Sequence, residues 1–282
     1  MTQLSIVIVT YNSIDHVHAC LAALARHPPH LDHEIVVVDN ASRDGTGAAV
    51  RQGWPAVRVI DAGANTGFAC GSNLGIRQSS GDLILLLNPD TEVRPGAIDT
   101  LAAALELDRD AAVAGPRLIG SQGRPELSFG AMISPLAELR QKALVHGSRR
   151  GIPGMRGWVD RLTRQRRAVD WVSGACLLVR RADAEAVGLL DERYFMYAED
   201  VDFCAAIRAR GRKVLFTPAA EVVHVRGQSV ASMAETTEAA YRRSQLAFYA
   251  KHHPRWVPLL RAYLKFRGCL PDTPIDPPGS MR

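Results

Sequence analysis

Long apolar runs are missing from this 282-residue chain: no stretch approaches the ~20 residues that span a bilayer, which excludes a helical membrane protein. Cysteine is scarce and scattered. Cys20, Cys70, Cys176, Cys204 and Cys269 form no CxxC pair and no zinc-like spacing, and an odd, dispersed set reads as reduced thiols rather than a disulfide framework. No GxGxxG follows the first strand-like run, where Thr10-Tyr11-Asn12 stands instead, so a dinucleotide-binding dehydrogenase has only the βα alternation in its favour. No cationic leader or cleavage site precedes residues 4–9. The expectation is a cytoplasmic protein, at most held at the inner face of the plasma membrane.

With 47% hydrophobic and 22% charged residues, the composition is that of an ordinary globular protein and excludes disorder and fibrous repeats. The net charge of +5 is unevenly spread. Positions 140–167 carry nine Lys and Arg against one acid, Asp160. Such a cluster attracts phosphates or anionic lipid, or is simply a solvated loop. No nucleic-acid partner is expected.

Residues 4–10 form a continuous β-branched run, the pattern of a parallel strand buried on both faces. Ser13 is placed to cap a helix whose apolar positions Ile14, Val17, Leu21 and Leu24 recur at spacings of three and four. Strands at 34–38, 57–60 and 82–87 then alternate with helices starting near Ser42 or Asp44, at 70–78, and at 96–107 behind Pro95. This order predicts an α/β fold with a doubly wound, mostly parallel sheet that binds ligands beyond the carboxyl ends of its strands. The second half changes character. Residues 120–168 read as irregular, 171–179 as a strand, 199–210 as a helix stopped by Gly211, and 214–217 and 222–225 as short strands. Helices near 234–251 and 258–268 precede a Pro-rich, disordered tail. The expected units are a nucleotide-binding half (1–120), an acceptor half of the same compact domain (121–233), C-terminal helices (234–268) and the tail (269–282).

Asp39 ends the second strand, where an acid either accepts hydrogen bonds from a ribose or base or caps the following helix. Asn88-Pro89-Asp90 ends the strongest strand, and a carboxylate projected by that turn suits Mg²⁺ or Mn²⁺ held by few protein ligands plus phosphates. Glu199, Asp200 and Asp202 crowd a helix start behind Tyr194, Phe195 and Tyr197, which suggest a walled pocket. Capping explains one or two such acids better than three. His224 sits third in a short apolar strand before Arg226 and Gly227, as either a structural histidine or a metal ligand.

Taken in order, Val-Thr-Tyr-Asn, Val-Asp-Asn-Ala-Ser, Asn-Thr-Gly-Phe-Ala, Leu-Asn-Pro-Asp-Thr, Trp-Val-Ser-Gly-Ala, Tyr-Ala-Glu-Asp-Val-Asp and Val-His-Val-Arg-Gly resemble the family-2 glycosyltransferases, in particular the rhamnosyltransferase-like members. The resemblance covers residues 3–250 and implies a GT-A-type, Rossmann-like fold. It implies that Thr10, Asn12 and Asp39 bind the donor nucleotide, that Asn65, Gly67 and Asn73 lie beside it, and that Asn88 at most contacts ribose. Asp90, in the place of the Asp-x-Asp motif, and His224 would be metal ligands. Asp200 would be the catalytic base, with Glu199 next to it, and residues 171–175 would line the acceptor side. The Gln-x-x-Arg-Trp signature of processive members is absent, which points to single addition, and inversion of the anomeric centre is what the resemblance implies. The implied donor is dTDP-L-rhamnose, with a UDP-sugar as its rival. The implied acceptor is a saccharide or prenyl-linked saccharide of a cell-envelope polysaccharide pathway; the basic 140–167 and an amphipathic C-terminal helix agree with peripheral membrane contact, though the helix fits packing on the domain equally well. The alternative from another class is a nucleotide-sugar-binding subunit without activity.

Overall fold

Every residue of β1 (Leu4–Thr10) is buried, and a strand covered on both faces needs the unbroken apolar run found there. The computed structural model describes residues 2–135, 154–225 and 234–271, with single positions between 137 and 147. In it, β1 lies parallel to β2 (His33–Asp39), with β3 (Arg58–Asp61) parallel beyond that, and on its other side parallel to β4 (Leu83–Leu87). The crossovers are α1 (Ile14–Arg26), α2 (Thr46–Gly53) and α3 (Gly67–Arg77). The carboxyl ends of all four strands therefore meet at one edge. Side chains alternate between two cores: Leu85 and Leu87 join one cluster, Ile84 and Leu86 the other.

Beyond β4 the parallel sheet takes in antiparallel strands. After β5 (Thr91–Val93) and α4 (Ala97–Leu107), β6 (Ala111–Gly120) does not pair with β4. The chain passes β7 (Phe129–Gly130), α5 (Met155–Leu162), β8 (Arg167–Val169) and β9 (Trp171–Val172), and then inserts β10 (Cys176–Arg180) antiparallel between β4 and β6. After α6 (Arg181–Ala186) and α7 (Glu199–Ala209), β11 (Lys213–His224) runs parallel to β6 and antiparallel to β5 and β8. Among the described residues the sheet is mixed and nine-stranded, ordered β3-β2-β1-β4-β10-β6-β11-β5, with β8 paired to β11 off this path. The two expected halves thus share one sheet.

Three local expectations change as well. The single strand expected at 171–179 breaks at 173–175, because β9 pairs with β7 in a separate small sheet while β10 joins the main one. The two strands expected at 214–217 and 222–225 are one strand with a register shift between Thr217 and Glu221, where Pro218 lacks the N–H needed to continue the ladder. The stretch expected to be irregular contains α5. Ser13 does not cap α1; its hydroxyl pairs with Thr10 Oγ1 at 2.5 Å. The last helices are α8 (Ala234–His252) and α9 (Val257–Phe266), and the tail from 272 onward lies outside the described residues. All five thiols are free.

Candidate active site

The ends of β1 and β2 bring Thr10, Asn12 and Asp39 together. Thr10 stands in register with Asp39, and the Asn40 N–H donates to the Thr10 carbonyl at 2.9 Å. The mostly buried Asp39 carboxylate accepts the Ser42 N–H at 3.2 Å, so it pins the following loop; α2 itself starts only at Thr46. Asn12 adopts a left-handed φ of 47°, and its side-chain oxygen accepts the Arg43 N–H at 2.7 Å. Asn65 accepts the Gly67 N–H at 3.2 Å, and Asn40 donates to the Gly67 carbonyl at 2.9 Å. Gly67 has a φ of 84°, and a Cβ there would lie 2.2 Å from the Phe195 carbonyl oxygen. That close approach ties the start of α3 to the segment before α7 and admits only glycine. Asn73 departs from its expected place beside a nucleotide. It is fully buried, donating to the Leu190 carbonyl and Glu192 Oε1 at 2.8 Å and accepting the Leu190 N–H at 3.0 Å. Its polar atoms are spent on joining α3 to that turn.

At the end of β4, the Asn88 N–H donates to the Ala175 carbonyl at 2.9 Å, while the Thr91 hydroxyl closes the turn on the Asn88 carbonyl at 2.6 Å. Strand pairing then delivers the histidine. Thr91 of β5 faces His224 of β11, and the Val225 N–H reaches the Asp90 carbonyl at 2.8 Å. His224 Nε2 lies 3.3 Å from Asp90 Oδ1, and its Nδ1 lies 3.3 Å from Glu126 Oε2. Glu126 went unnoticed in the sequence, six residues past β6 in a Gly- and Pro-punctuated stretch. The signal that could have found it is the Gly120–Gly123 turn, which folds the chain back so that the Glu126 N–H meets the Leu118 carbonyl at 2.9 Å. Arg226 and Gly227 lie outside the described residues.

Two cis ligand atoms each ~2.1 Å from an octahedral cation sit about 3 Å apart. The Asp90 and His224 pair, at 3.3 Å, fits that spacing. No group of three or more His, Cys, Asp or Glu suited to a metal occurs among the described residues, so any ion here would be completed by phosphate or water oxygens.

The three acids of α7 have three different surroundings. Asp200 Oδ2 accepts the Gly174 N–H at 2.8 Å and its Oδ1 the Val201 N–H at 2.8 Å, which fixes the carboxylate across the 173–175 break. Glu199 is buried, with Oε2 lacking a partner. Burial first, and the Asp200 charge second, push its carboxyl well above the usual range. Asp202 is 2% exposed and binds Lys251 Nζ at 2.7 Å and His252 Nε2 at 2.6 Å. Before the helix, Tyr197 and Ala198 hold left-handed φ values of 71° and 67°, a strained pair. The segment is clamped by the Phe68 N–H on the Phe195 carbonyl at 2.8 Å and the Ser244 hydroxyl on the Met196 carbonyl at 2.7 Å. The expected aromatic wall is only partial: Tyr194 is buried in the core, and Phe195 is exposed.

The model of the family described as "Glycosyl transferase family 2" matches residues 5–164. The chain is 32% identical to an N-acetylglucosaminyl-diphospho-decaprenol L-rhamnosyltransferase of Mycobacterium tuberculosis, covering 90% of this chain and 86% of that one. It is 25% identical to the rhamnosyltransferase WbbL of Escherichia coli, covering 78% and 82% respectively. Among solved structures it resembles the mannosyltransferase PcManGT of Pyrobaculum calidifontis in complex with GDP-Man and Mn²⁺, with a TM-score of 0.60 at 17% identity over 93% of this chain and 68% of that one. It also resembles GalNAc-T7 with UDP, GalNAc and Mn²⁺, with a TM-score of 0.59 at 15% identity over 95% and 55%. These last two likenesses identify the GT-A fold.

Proposed function

The chain belongs to glycosyl transferase family 2, and from that premise we propose that it moves one L-rhamnosyl unit from dTDP-L-rhamnose, with inversion, to a lipid-linked saccharide in cell-envelope glycan synthesis. One observation carries the site assignment. The 173–175 bridge accepts a hydrogen bond from Asn88 on one flank and donates one to Asp200 on the other, so the Asp90 turn and the Asp200 carboxylate are tied to one three-residue segment. Rhamnose as the sugar rests on the similarity to two rhamnosyltransferases, and the lipid-linked acceptor on the decaprenol compound named for the mycobacterial one.

In this reading Thr10, Asn12 and Asp39 hold the nucleoside at the strand ends, and the Asn65–Gly67 loop flanks it. Asp200 accepts the proton of the acceptor hydroxyl as that oxygen attacks the anomeric carbon, a general-base step worth about 10²–10⁴-fold. The glycosidic C–O bond to the nucleoside diphosphate breaks on the opposite face. Asp90 and His224 would hold Mg²⁺ or Mn²⁺, which when bound neutralises the leaving diphosphate. Burial and the Asp200 charge favour the protonated form of Glu199, which in this reading leaves the base role to its neighbour. Retention of Asp90, Asp200 and His224 favours an enzyme over an inactive subunit.

The test is nucleotide release from dTDP-rhamnose, UDP-glucose, UDP-galactose, UDP-GlcNAc and GDP-mannose with Mg²⁺ or Mn²⁺, with and without a prenyl-diphosphate-linked saccharide. Acceptor-stimulated release from dTDP-rhamnose is expected. Stimulation confined to a UDP-sugar overturns the donor, and no stimulation with any donor overturns the reading.

A structural feature also supports membrane contact. The helix α9 has two apolar faces: Val257, Leu260 and Leu264 pack inward, while Trp256, Leu259, Tyr263 and Phe266 are exposed. Arg255, Arg261, Lys265 and Arg267 flank the outer face, and no acid occurs from 254 to 271. That pattern fits an anionic bilayer surface. The protein should co-sediment with vesicles containing phosphatidylglycerol and lose this when Leu259 and Phe266 become Ser. Undiminished binding by that variant counts against the helix as the contact.

A further inference from the structure

The imidazole of His224 is buried at 6% exposure, and each ring nitrogen faces a different carboxylate: Nε2 meets Asp90 and Nδ1 meets Glu126, both at 3.3 Å. A neutral imidazole carries one proton, and the hydrogen bond made by one nitrogen decides which nitrogen keeps a lone pair. A proton on Nδ1 donated to Glu126 leaves the Nε2 lone pair aimed at the Asp90 side. The other tautomer would present an N–H where a cation needs a donor pair.

Backbone geometry holds Glu126 in place. The Gly120 N–H donates to the Arg124 carbonyl at 2.8 Å, Ile119 bridges Pro125, and the Glu126 N–H bonds Leu118 at 2.9 Å. The turn therefore springs from the end of β6, the strand paired in register with His224 through Gly120. The ring is carried by β11 and the carboxylate by the turn that folds back on the neighbouring β6, so the sheet and that turn set their separation.

We infer that Glu126 is a positioning residue for His224: it holds the imidazole in the Nδ1–H tautomer and orients Nε2 toward the divalent cation, which it does not itself ligate. This rests on the metal role proposed for Asp90 and His224. Carboxylate partners of metal-bound histidines typically change metal affinity by about 10–100-fold.

Two measurements separate failure of this inference from failure of the metal reading. The first is Mn²⁺ titration followed by electron paramagnetic resonance, with a nucleoside diphosphate present, on the wild type, E126A, E126Q and H224A. Glu126→Ala should weaken binding by about 10–100-fold, while Glu126→Gln, which still offers an oxygen to Nδ1–H, should stay within a few-fold of the wild type. Wild-type affinity in E126A overturns the inference, and so does equal loss in E126Q and E126A, which would make Glu126 a ligand acting through its charge. The second is ¹⁵N chemical shifts of the ring in metal-free protein at a pH where it is neutral, assigned with H224A. A protonated Nδ1 is expected in the wild type and a shift toward protonated Nε2 in E126A. A wild-type proton on Nε2 overturns the inference even if no Mn²⁺ binds.

Discussion

Asp200 and Asp202 stand two residues apart at the start of one helix, and the fold treats them in opposite ways. Asp202 is 2% exposed and closed into a cluster with Lys251, His252 and the Tyr194 hydroxyl, with Lys251 also bound to Asp191 at 2.8 Å. Asp200 is half-buried, and the Gly174 and Val201 N–H groups fix its carboxylate beside the 173–175 break. One acid anchors α8 on α7, and the other is tied to the 173–175 segment that also binds Asn88. A helix start favours acids electrostatically at every such position, so the difference comes wholly from what packs against each face.

The sharpest way to break this contrast is to neutralise each acid in turn. Asp200→Asn should lower turnover by about 10²–10⁴-fold with an unchanged Tm; equal turnover would remove it as the base. Asp202→Asn should instead destabilise by about 3 kcal/mol, the low end for a broken buried ion pair because Lys251 is 33% exposed and can rehydrate. Denaturant unfolding measures this loss. The activity of the folded fraction should stay within about tenfold, and a loss like that of Asp200→Asn would erase the distinction. Gly67→Ala tests the clamp beneath both acids. It adds a Cβ 2.2 Å from the Phe195 oxygen at a φ of 84°, and should cost about 2–3 kcal/mol in the same assay.

Acid titration sharpens the contrast further, because the two carboxyls outside the Asp200 and Asp202 pair shift in opposite directions. Burial raises Asp191, but hydrogen bonds from Arg193 and Lys251 outweigh it and hold the carboxyl well below the usual range. Its contribution is present above about pH 4 and is lost as the pH falls through the lowered value. Glu199 is raised by burial and by Asp200, so the folded state keeps a proton that the unfolded state releases, and stability falls as pH rises above about 4. Glu199→Gln should therefore leave Tm nearly unchanged at acid pH and raise it at neutral pH. A lower Tm at neutral pH would contradict a protonated Glu199. The smallest expected effect is at Ala198, where glycine would relieve a φ of 67° and add up to about 1 kcal/mol.

The first four strands and their crossovers were legible because β1, β4 and the second half of β2 are buried on both faces and the helices on one, which leaves apolar runs and 3.6-period patterns. The insertion of β10 was not legible. A short apolar strand pairs equally well with either neighbour, and nothing in Cys176–Arg180 specifies an antiparallel seat between β4 and β6. Asp90, Asp200 and His224 were found through ordered motifs, and the structure brings Asp90 and His224 into contact. Asn73 misled because an amide on a helix beside a glycine-rich loop looks the same whether it faces a ligand or a buried turn. Glu126 was invisible because its partner is 98 residues away.

By itself, the sequence determined the α/β class, the strand ends that gather Asp39 and Asp90, and the family, since these follow from local periodicity and from motif order along the chain. Only the tertiary structure decided which of three neighbouring acids is closed into an ion cluster, which carboxylates flank His224, and that residues 173–175 bridge Asn88 to Asp200. Those outcomes depend on contacts between strands and helices distant in sequence, where burial and a single hydrogen-bond partner turn identical side chains to different work.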